Sequence, residues 1–218
     1  MFSDKKLLTQ AFIHRSYINE NPKSGLAHNE RLEFLGDAVL ELVVTRYLYN
    51  RYPEHNEGEL TAYRSALVNA ITLAESADTL GMNEYLLLSK GESKDGGKAR
   101  QYILANTFEA FVGAVYLDQG YSVAENFIAR ALFGKLDEIV AKKLYRDAKS
   151  LVQEKAQEYV GVTPSYKVLA ETGPDHDKHF KIGIYFGLDM IAEGKGKSKQ
   201  EAEQEAAREA LLKKGWLD

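Results

Sequence analysis

The sequence predicts two domains, an all-α domain over residues 1–145 and a small α+β domain over residues 146–218. Apolar residues recur at spacings of three and four through the first domain, which is the period of a helix with one buried face. After residue 145 this period is replaced by a helix, three β-type runs and a second helix, in the order α-β-β-β-α. The 218 residues, 44% of them hydrophobic, suffice for two buried cores.

Four segments carry the helical pattern of the first domain. They are DKKLLTQAFIHRSY, RLEFLGDAVLELVVTRYLYNRY, GELTAYRSALVNAITLAESADTL and QYILANTFEAFVGAVYLDQ. Pro53, Gly81, the segment KGESKDGG and Gly120 separate them, because proline and glycine interrupt helices. We therefore expect helices that pack on one another through their apolar faces.

The second domain opens with a predicted helix over residues 149–159. The runs SYKVLAET, HFKIGIYFG and DMIAEGKG are rich in the branched and aromatic residues that favour strands. A last helix is predicted over residues 198–213. The join between the domains is short and charged and has no Gly/Ser tract, which predicts domains that are not widely tethered.

Composition narrows the classes of function. The formal net charge is −4, so a nucleic-acid binder would need local clusters of basic residues. The absence of cysteine excludes disulfides, thiolate zinc sites and cysteine nucleophiles, and leaves oxygen or histidine ligands for any metal. No apolar run is long enough to cross a bilayer, and the opening lacks the pattern of a signal peptide. We expect a cytoplasmic protein that does not act at a membrane.

The segment NERLEFLGDAVLE crowds three acidic residues onto one helix face. Glu33 and Asp37 are neighbours on that face and Glu30 lies one turn before them, so their charges repel. In the segment LANTFEAFVGA, Asn106 and Glu109 lie three apart on another apolar helix. If the two helices pack together, their carboxylates and the Asn106 amide form an oxygen-only ligand set, which is typical of Mg²⁺ or Mn²⁺.

Two other interpretations compete with a metal site. The first is a solvated helix face, which is the usual role of acidic helix residues and requires no ligand. The second is a di-iron carboxylate bundle, whose site uses Glu-x-x-His motifs. None of the five histidines follows a glutamate by three positions, which excludes the di-iron site.

The segment NERLEFLGDAVLE closely resembles the signature helix of the ribonuclease III family, Glu-Arg-Leu-Glu-Phe-Leu-Gly-Asp. The segments LLTQAFIHRSY, EGELTAYRSALV and ANTFEAFVGAVYLDQGY resemble further blocks of that family in the same order, so the resemblance covers essentially the whole chain. It implies an all-α endonuclease domain followed by an α+β double-stranded RNA-binding domain.

The resemblance also implies an activity and its partners. The expected activity is Mg²⁺-dependent hydrolysis of double-stranded RNA, with Mn²⁺ as a substitute, giving 5′-phosphate and 3′-hydroxyl ends in ribosomal and messenger RNA processing. A homodimer is implied, with Phe34 in its interface. The residues implied to act in cleavage are Glu33, Asp37, Asn106, Glu109, Glu30 and Glu57, the first four of them as metal ligands.

The chain departs from the family at Asn106, where family members usually have aspartate. Asparagine offers a carbonyl oxygen to a hard cation but has no negative charge, so we expect weaker metal binding and impaired or conditional activity. The change is either engineered, or natural with cleavage retained, or natural in a protein that only binds RNA. Retention of Glu33, Asp37 and Glu109 favours an enzyme. The alternative is a non-cleaving double-stranded RNA-binding protein on the same dimeric scaffold.

The C-terminal unit resembles the double-stranded RNA-binding domain, which contacts minor-groove hydroxyls and phosphates of A-form RNA. The matching elements are the helix KSLVQEKAQEY, the loop GPDHDKHF and the lysine-rich helix start GKGKSKQEAEQEAA, where helix N–H groups also favour phosphate. The residues implied to bind RNA are Ser150, Gln153, Glu154, Gln157, Pro174, His176, Lys195, Lys197, Ser198 and Lys199. Gln200 replaces a usual lysine, so one phosphate contact is expected to be lost.

Overall fold

A computed structural model describes residues 2–94, 96–141, 147–174 and 178–216 of the chain. The chain forms two compact units, Met1–Tyr145 and Arg146–Asp218. The predicted boundary at residues 145 and 146 lies outside the described residues and stays a prediction.

The first unit is helical in the part of the chain that the structure describes. Its α-helices are α1 (Lys5–Ala11), α2 (Arg15–Glu20), α3 (Glu30–Arg51), α4 (Glu57–Leu67), α5 (Ala70–Thr79), α6 (Gly97–Gln119), α7 (Tyr121–Ile128) and α8 (Gly134–Ala141). A 3₁₀ turn covers Met82–Tyr85, and a π-helical turn at Ala129–Phe133 joins the last two helices. The prediction of an all-α domain is confirmed.

The core of the first unit forms around α3 and α6. Leu40, Val44 and Leu48 repeat at four-residue spacing along α3 and are fully or almost fully buried. Phe108 and Val112 of α6 are completely buried in the same cluster. Truncating a side chain such as Phe108 to alanine would cost about 3–5 kcal/mol, because the surrounding helices could only partly fill the space.

Side chains that precede the helices fix where several of them begin. Asn56 accepts a hydrogen bond from the backbone of Glu59, whose carboxylate accepts one from Asn56 in return, and this reciprocal pair starts α4. Asp4 and Asn69 cap α1 and α5 in the simpler way, each accepting from a backbone N–H of the first turn.

The second unit consists of a three-stranded antiparallel sheet and two helices. In chain order the elements are α9 (Ala148–Val160), β1 (Ser165–Thr172), β2 (His179–Phe186), β3 (Asp189–Gly196) and α10 (Lys199–Lys214). The strands pair in sequence order, and Ile184 of β2, Val152 of α9 and Leu211 of α10 meet in the core. The predicted α-β-β-β-α order is confirmed.

Two glycines bring α10 against the end of β3. A Cβ on Gly194 would overlap the backbone of Ala202 and Ala206, and one on Gly196 would lie 2.6 Å from the amide nitrogen of Ala202. The start of α10 is therefore held next to the lysines at the end of β3.

Among the described residues, no helix combines the length and the apolar character that crossing a bilayer requires.

Candidate metal centre and RNA interface

Two glycines set the distance between α3 and α6. A Cβ on Gly36 would overlap the carbonyl oxygen of Glu109 and lie 2.8 Å from the amide nitrogen of Gly113. A Cβ on Gly113 would in turn overlap the carbonyl oxygen of Leu32. The helices therefore meet backbone to backbone, and polar side chains within about one turn of the crossing are drawn together. These side chains belong to Glu33, Asp37 and Glu109.

The three carboxylates lie within electrostatic reach of one another. Burial is the largest effect on Glu109 and, with the charges of Asp37 and Glu33, raises its pKa to about 7. Burial also raises the pKa of Glu33, and the charges of Glu30 and Asp37 raise it further. No lysine or arginine in the described part of the chain lowers either pKa. Ionising these groups together is unfavourable unless a cation joins them.

The donor set suits a hard divalent cation, because carboxylate oxygens are the ligands that Mg²⁺ and Mn²⁺ prefer. In the arrangement that the structure describes, no group of three or more histidine, aspartate and glutamate side chains is close enough to hold a metal ion. The residues thus fit a metal in kind and in charge, while holding one would require their side chains to move inward.

Asn106 lies one helical turn before Glu109, on the same face of α6, and is partly buried. The intervening Thr107 is fully buried, and its hydroxyl donates a hydrogen bond of 2.7 Å to the carbonyl oxygen of Ile103. Because α6 is unbroken from Gly97 to Gln119, the Asn106 amide occupies the face that carries Glu109.

The two remaining acidic residues differ in their surroundings. Glu30 is the first residue of α3, and its carboxylate lies 3.2 Å from the Arg15 guanidinium and 3.7 Å from Nδ1 of His28. Glu57 begins α4 and is exposed. Glu30 contributes to the raised pKa of Glu33, whereas Glu57 is not among the charges acting on Glu33 or Glu109. Glu30 therefore acts electrostatically on the carboxylate cluster, whereas Glu57 has no such effect on Glu33 or Glu109.

Phe34 is an apolar side chain on the surface of α3, with 80% of its area exposed. It lies at a cavity of about 640 Å³ between α1, the start of α3 and the end of α6. Leu7, Leu35 and Leu117 supply apolar walls to this cavity. An exposed phenylalanine beside an apolar cavity is typical of a protein contact surface.

The predicted RNA-binding residues on α9 fall into two groups. Gln153, Glu154 and Gln157 are exposed, and the Gln157 amide donates a hydrogen bond of 3.3 Å to the hydroxyl of Thr163. Ser150 is also exposed, but its hydroxyl donates a hydrogen bond of 2.8 Å to the carboxylate of Asp147, the residue that caps α9. The Ser150 hydroxyl is therefore already hydrogen-bonded within the first turn of α9.

The lysines at the start of α10 are free of local ion pairs in the described residues. Lys195, Lys197 and Lys199 are exposed, and Lys199 lies 5.8 Å from the centre of the Phe180 ring. Ser198 caps the helix, because its hydroxyl accepts a hydrogen bond of 3.2 Å from the backbone N–H of Glu201. The serine hydroxyl thus has a structural partner, and the Glu201 carboxylate accepts a hydrogen bond from the backbone of Lys197, while the three lysine side chains are exposed.

The loop between β1 and β2 is described only in part. Pro174 is exposed. His176 lies outside the described residues, so its predicted contact with RNA stays a prediction.

Sequence reasoning missed two features of the site. Gly36 and Gly113 had a signal, since a glycine inside a long apolar helix indicates close approach of another backbone. Arg15 had none, because only the packed structure brings it to Glu30.

Comparison with known proteins assigns both units to described families. The model for Ribonuclease-III-like domains matches residues 4–136, and the model for the double-stranded RNA binding motif matches residues 148–214. The chain is 45% identical over 205 residues to Ribonuclease 3 of Desulforamulus reducens, covering 94% of this chain and 83% of that protein. It is 46% identical over 211 residues to Ribonuclease 3 of Enterococcus faecalis, covering 97% of this chain and 91% of that protein.

A solved structure gives the same assignment for the first unit. It is the nuclease domain of ribonuclease III from Campylobacter jejuni, described as showing structural flexibility in a region involved in dimer formation. It is 40% identical to this chain, with a TM-score of 0.55, and the match covers 60% of this chain and 87% of that one.

Proposed function

Because the chain belongs to the ribonuclease III family, we propose that it hydrolyses phosphodiester bonds of double-stranded RNA with the aid of a divalent metal ion. The products are 5′-phosphate and 3′-hydroxyl ends. The observation that carries this proposal is the group of Glu33, Asp37 and Glu109 at the α3–α6 crossing, where burial and mutual repulsion raise the pKa of Glu109 to about 7. Ionising this carboxylate cluster is unfavourable, and no basic side chain of the described residues lowers the pKa of Glu33 or Glu109. Such a cluster is suited to binding a metal cation rather than to forming a structural ion pair.

The ion expected at this cluster is Mg²⁺, and Mn²⁺ should substitute for it because both take oxygen ligands in octahedral geometry. Glu33, Asp37 and Glu109 would hold it, with the amide oxygen of Asn106 as a fourth donor. When bound, such an ion supplies Lewis-acid activation of water and charge stabilisation at the scissile phosphate. The carboxylates would position the ion beside the scissile phosphate.

Glu30 and Glu57 take supporting roles in this proposal. Glu30 adds negative charge next to Glu33, and the rise that it causes in the pKa of Glu33 supports its place at the edge of the site. Glu57 is exposed at the start of α4, and its part in cleavage is proposed from the resemblance to the ribonuclease III family.

Asn106 is expected to make cleavage conditional on metal concentration. Its amide replaces one formal negative charge in the ligand set, so Mg²⁺ should bind more weakly than to a site with aspartate. This same substitution supports the second candidate function, a non-cleaving double-stranded RNA-binding protein. Retention of the other three ligands favours cleavage.

RNA binding is proposed for the exposed side chains of the second unit. Gln153, Glu154 and Gln157 would meet minor-groove hydroxyls, while Lys195, Lys197 and Lys199 would meet phosphate beside the N-terminus of α10. Ser150 and Ser198 would act mainly by fixing the helix starts. Pro174 and His176 would approach the minor groove from the loop between β1 and β2.

We further propose a homodimer of the first unit through the surface around Phe34. Two copies related by a two-fold axis would each offer the same exposed phenylalanine and the same adjacent cavity, which makes the surface self-complementary. Processing of ribosomal and messenger RNA in the cytoplasm is the expected setting.

The test is cleavage of an end-labelled RNA duplex by the full chain in Mg²⁺, with Asp37→Asn as the disabled variant and the single strand as substrate control. We expect cleavage of the duplex alone, products with 5′-phosphates, and a loss of at least a hundredfold in Asp37→Asn. Cleavage that survives EDTA or the Asp37 substitution would contradict the assignment of the site.

A further inference from the structure

Arg15 and Glu30 form an ion pair at the edge of the carboxylate cluster. Nη1 of Arg15 lies 3.2 Å from one Glu30 oxygen, and Nδ1 of His28 lies 3.7 Å from the other. The second distance is too long for a hydrogen bond, so Arg15 is the closer partner. Glu30 thereby differs from Glu33, whose pKa is raised by burial and then by the charges of Glu30 and Asp37, and is lowered by no cation of the described residues.

The backbone on the Arg15 side of the pair is held in place. His14 caps α2 with its ring nitrogen, and its backbone N–H donates a hydrogen bond of 3.1 Å to the carbonyl oxygen of Leu87. The Ser16 hydroxyl accepts a hydrogen bond of 3.0 Å from the backbone of Ser89. Both neighbours of Arg15 are hydrogen-bonded to residues 87 and 89. The backbone that carries the Arg15 side chain is therefore held in place.

The backbone on the Glu30 side is held equally well. Asn29 is 3% exposed, and its side-chain amide donates a hydrogen bond of 3.1 Å to the carbonyl oxygen of Ala11. Its backbone N–H donates a hydrogen bond of 2.9 Å to the carbonyl oxygen of Ile13. These bonds join the residues before Arg15 to the residue before Glu30, so the fold fixes the relative position of the two backbones that carry the charged side chains.

We propose, on the basis of the proposed metal site, that Arg15 is a positioning residue that keeps Glu30 out of the metal's ligand set. The ion pair occupies the Glu30 carboxylate and offsets its charge, so that Glu33, Asp37 and Glu109 take the cation. Without Arg15, Glu30 would add a full negative charge one turn from Glu33 and become available as a ligand. Removing a positive charge in this way makes the cluster bind divalent cations more tightly.

The test measures Mn²⁺ binding to the full chain without RNA, by electron paramagnetic resonance of free Mn²⁺. Arg15→Gln should lower the Mn²⁺ dissociation constant by about two- to fivefold, the range expected for one exposed ion pair. Arg15→Lys keeps the charge and should restore the original value. Arg51→Gln is the matched control, because Arg51 forms a comparable pair with Asp137 at 3.3 Å and should leave binding unchanged.

A second comparison identifies Glu30 as the group through which Arg15 acts. In a Glu30→Gln background, Arg15→Gln should no longer tighten Mn²⁺ binding. An equal shift in both backgrounds, or weaker binding in Arg15→Gln, would overturn the inference while leaving the metal site intact. Absence of Mn²⁺ binding in the unsubstituted chain would overturn the metal site and this inference together.

Discussion

Gly36 of α3 lies directly against the backbone carbonyl of Glu109 in α6. The closest approach of the two long helices and the acidic residues of the candidate site therefore coincide. A side chain at this point would separate the helices and move Glu109 away from Glu33 and Asp37. The position is thus constrained by packing and by the site at once.

Gly36→Ala should destabilise the first unit by about 3 kcal/mol, because the added methyl group meets backbone atoms that cannot turn aside. The measurement is the free energy of unfolding from urea denaturation. Gly134→Ala is the matched control, since Gly134 is helical and a Cβ there meets nothing within 4 Å. The control should be about 0.5 kcal/mol more stable. Equal stability of the two variants would contradict the close crossing.

Glu109 should make the stability of the protein depend on pH. Its pKa is raised from 4.5 to about 7 in the folded chain, so between these values the folded state holds a proton that the unfolded state has lost. The free energy of unfolding therefore falls as pH rises through this window.

The Glu109→Gln variant should not show this loss. From pH 4.5 to pH 8, without divalent cations, the unsubstituted chain should lose about 2 kcal/mol relative to Glu109→Gln, a value reduced for the partial exposure of the group. Urea denaturation across this pH range provides the measurement. Glu54→Gln, at an exposed position on the same unit, should follow the unsubstituted chain. Parallel pH profiles for Glu109→Gln and the unsubstituted chain would argue against the buried carboxylate.

Phe34→Ala should weaken the proposed homodimer by about thirtyfold, the usual effect of removing a central aromatic side chain from an interface. Sedimentation equilibrium gives the dissociation constant. Leu188→Ala serves as control, because Leu188 is 93% exposed on the second unit and its loss should leave the dimer unchanged. A dimer that is indifferent to Phe34 would place the interface elsewhere.

Lys199→Ala should weaken binding to RNA duplexes of any sequence and lower the slope of log affinity against log salt by about 1, as expected for one lost phosphate contact. Fluorescence anisotropy over a salt series measures both quantities. Lys181→Ala is the control, since Lys181 is paired with Glu193 at 2.7 Å on the sheet. The same slope in Lys199→Ala and the unsubstituted chain would remove Lys199 from the interface.

Much of the fold follows from local sequence patterns. β1 and β3 begin and end at the predicted residues, because alternation and turn glycines are local signals. The meeting of Glu33 with Glu109 was also predictable, since apolar helix faces must pack and their few polar residues then converge. The Arg15–Glu30 pair was not predictable, because it depends on the path of the chain between α2 and α3. The local use of the Ser150 and Ser198 hydroxyls likewise depends on cap geometry.

The most direct test of the account is cleavage of a labelled RNA duplex by the unsubstituted chain and by Asn106→Asp, side by side across Mg²⁺ and Mn²⁺ concentrations. We expect both to cut and leave 5′-phosphates, with Asn106→Asp reaching its full rate at lower Mg²⁺ and the difference shrinking in Mn²⁺. Cleavage by Asn106→Asp alone would show a disabled nuclease on an intact site. If neither cuts while both bind the duplex, the carboxylate cluster is not a cleavage site and the RNA-binding function is the correct one.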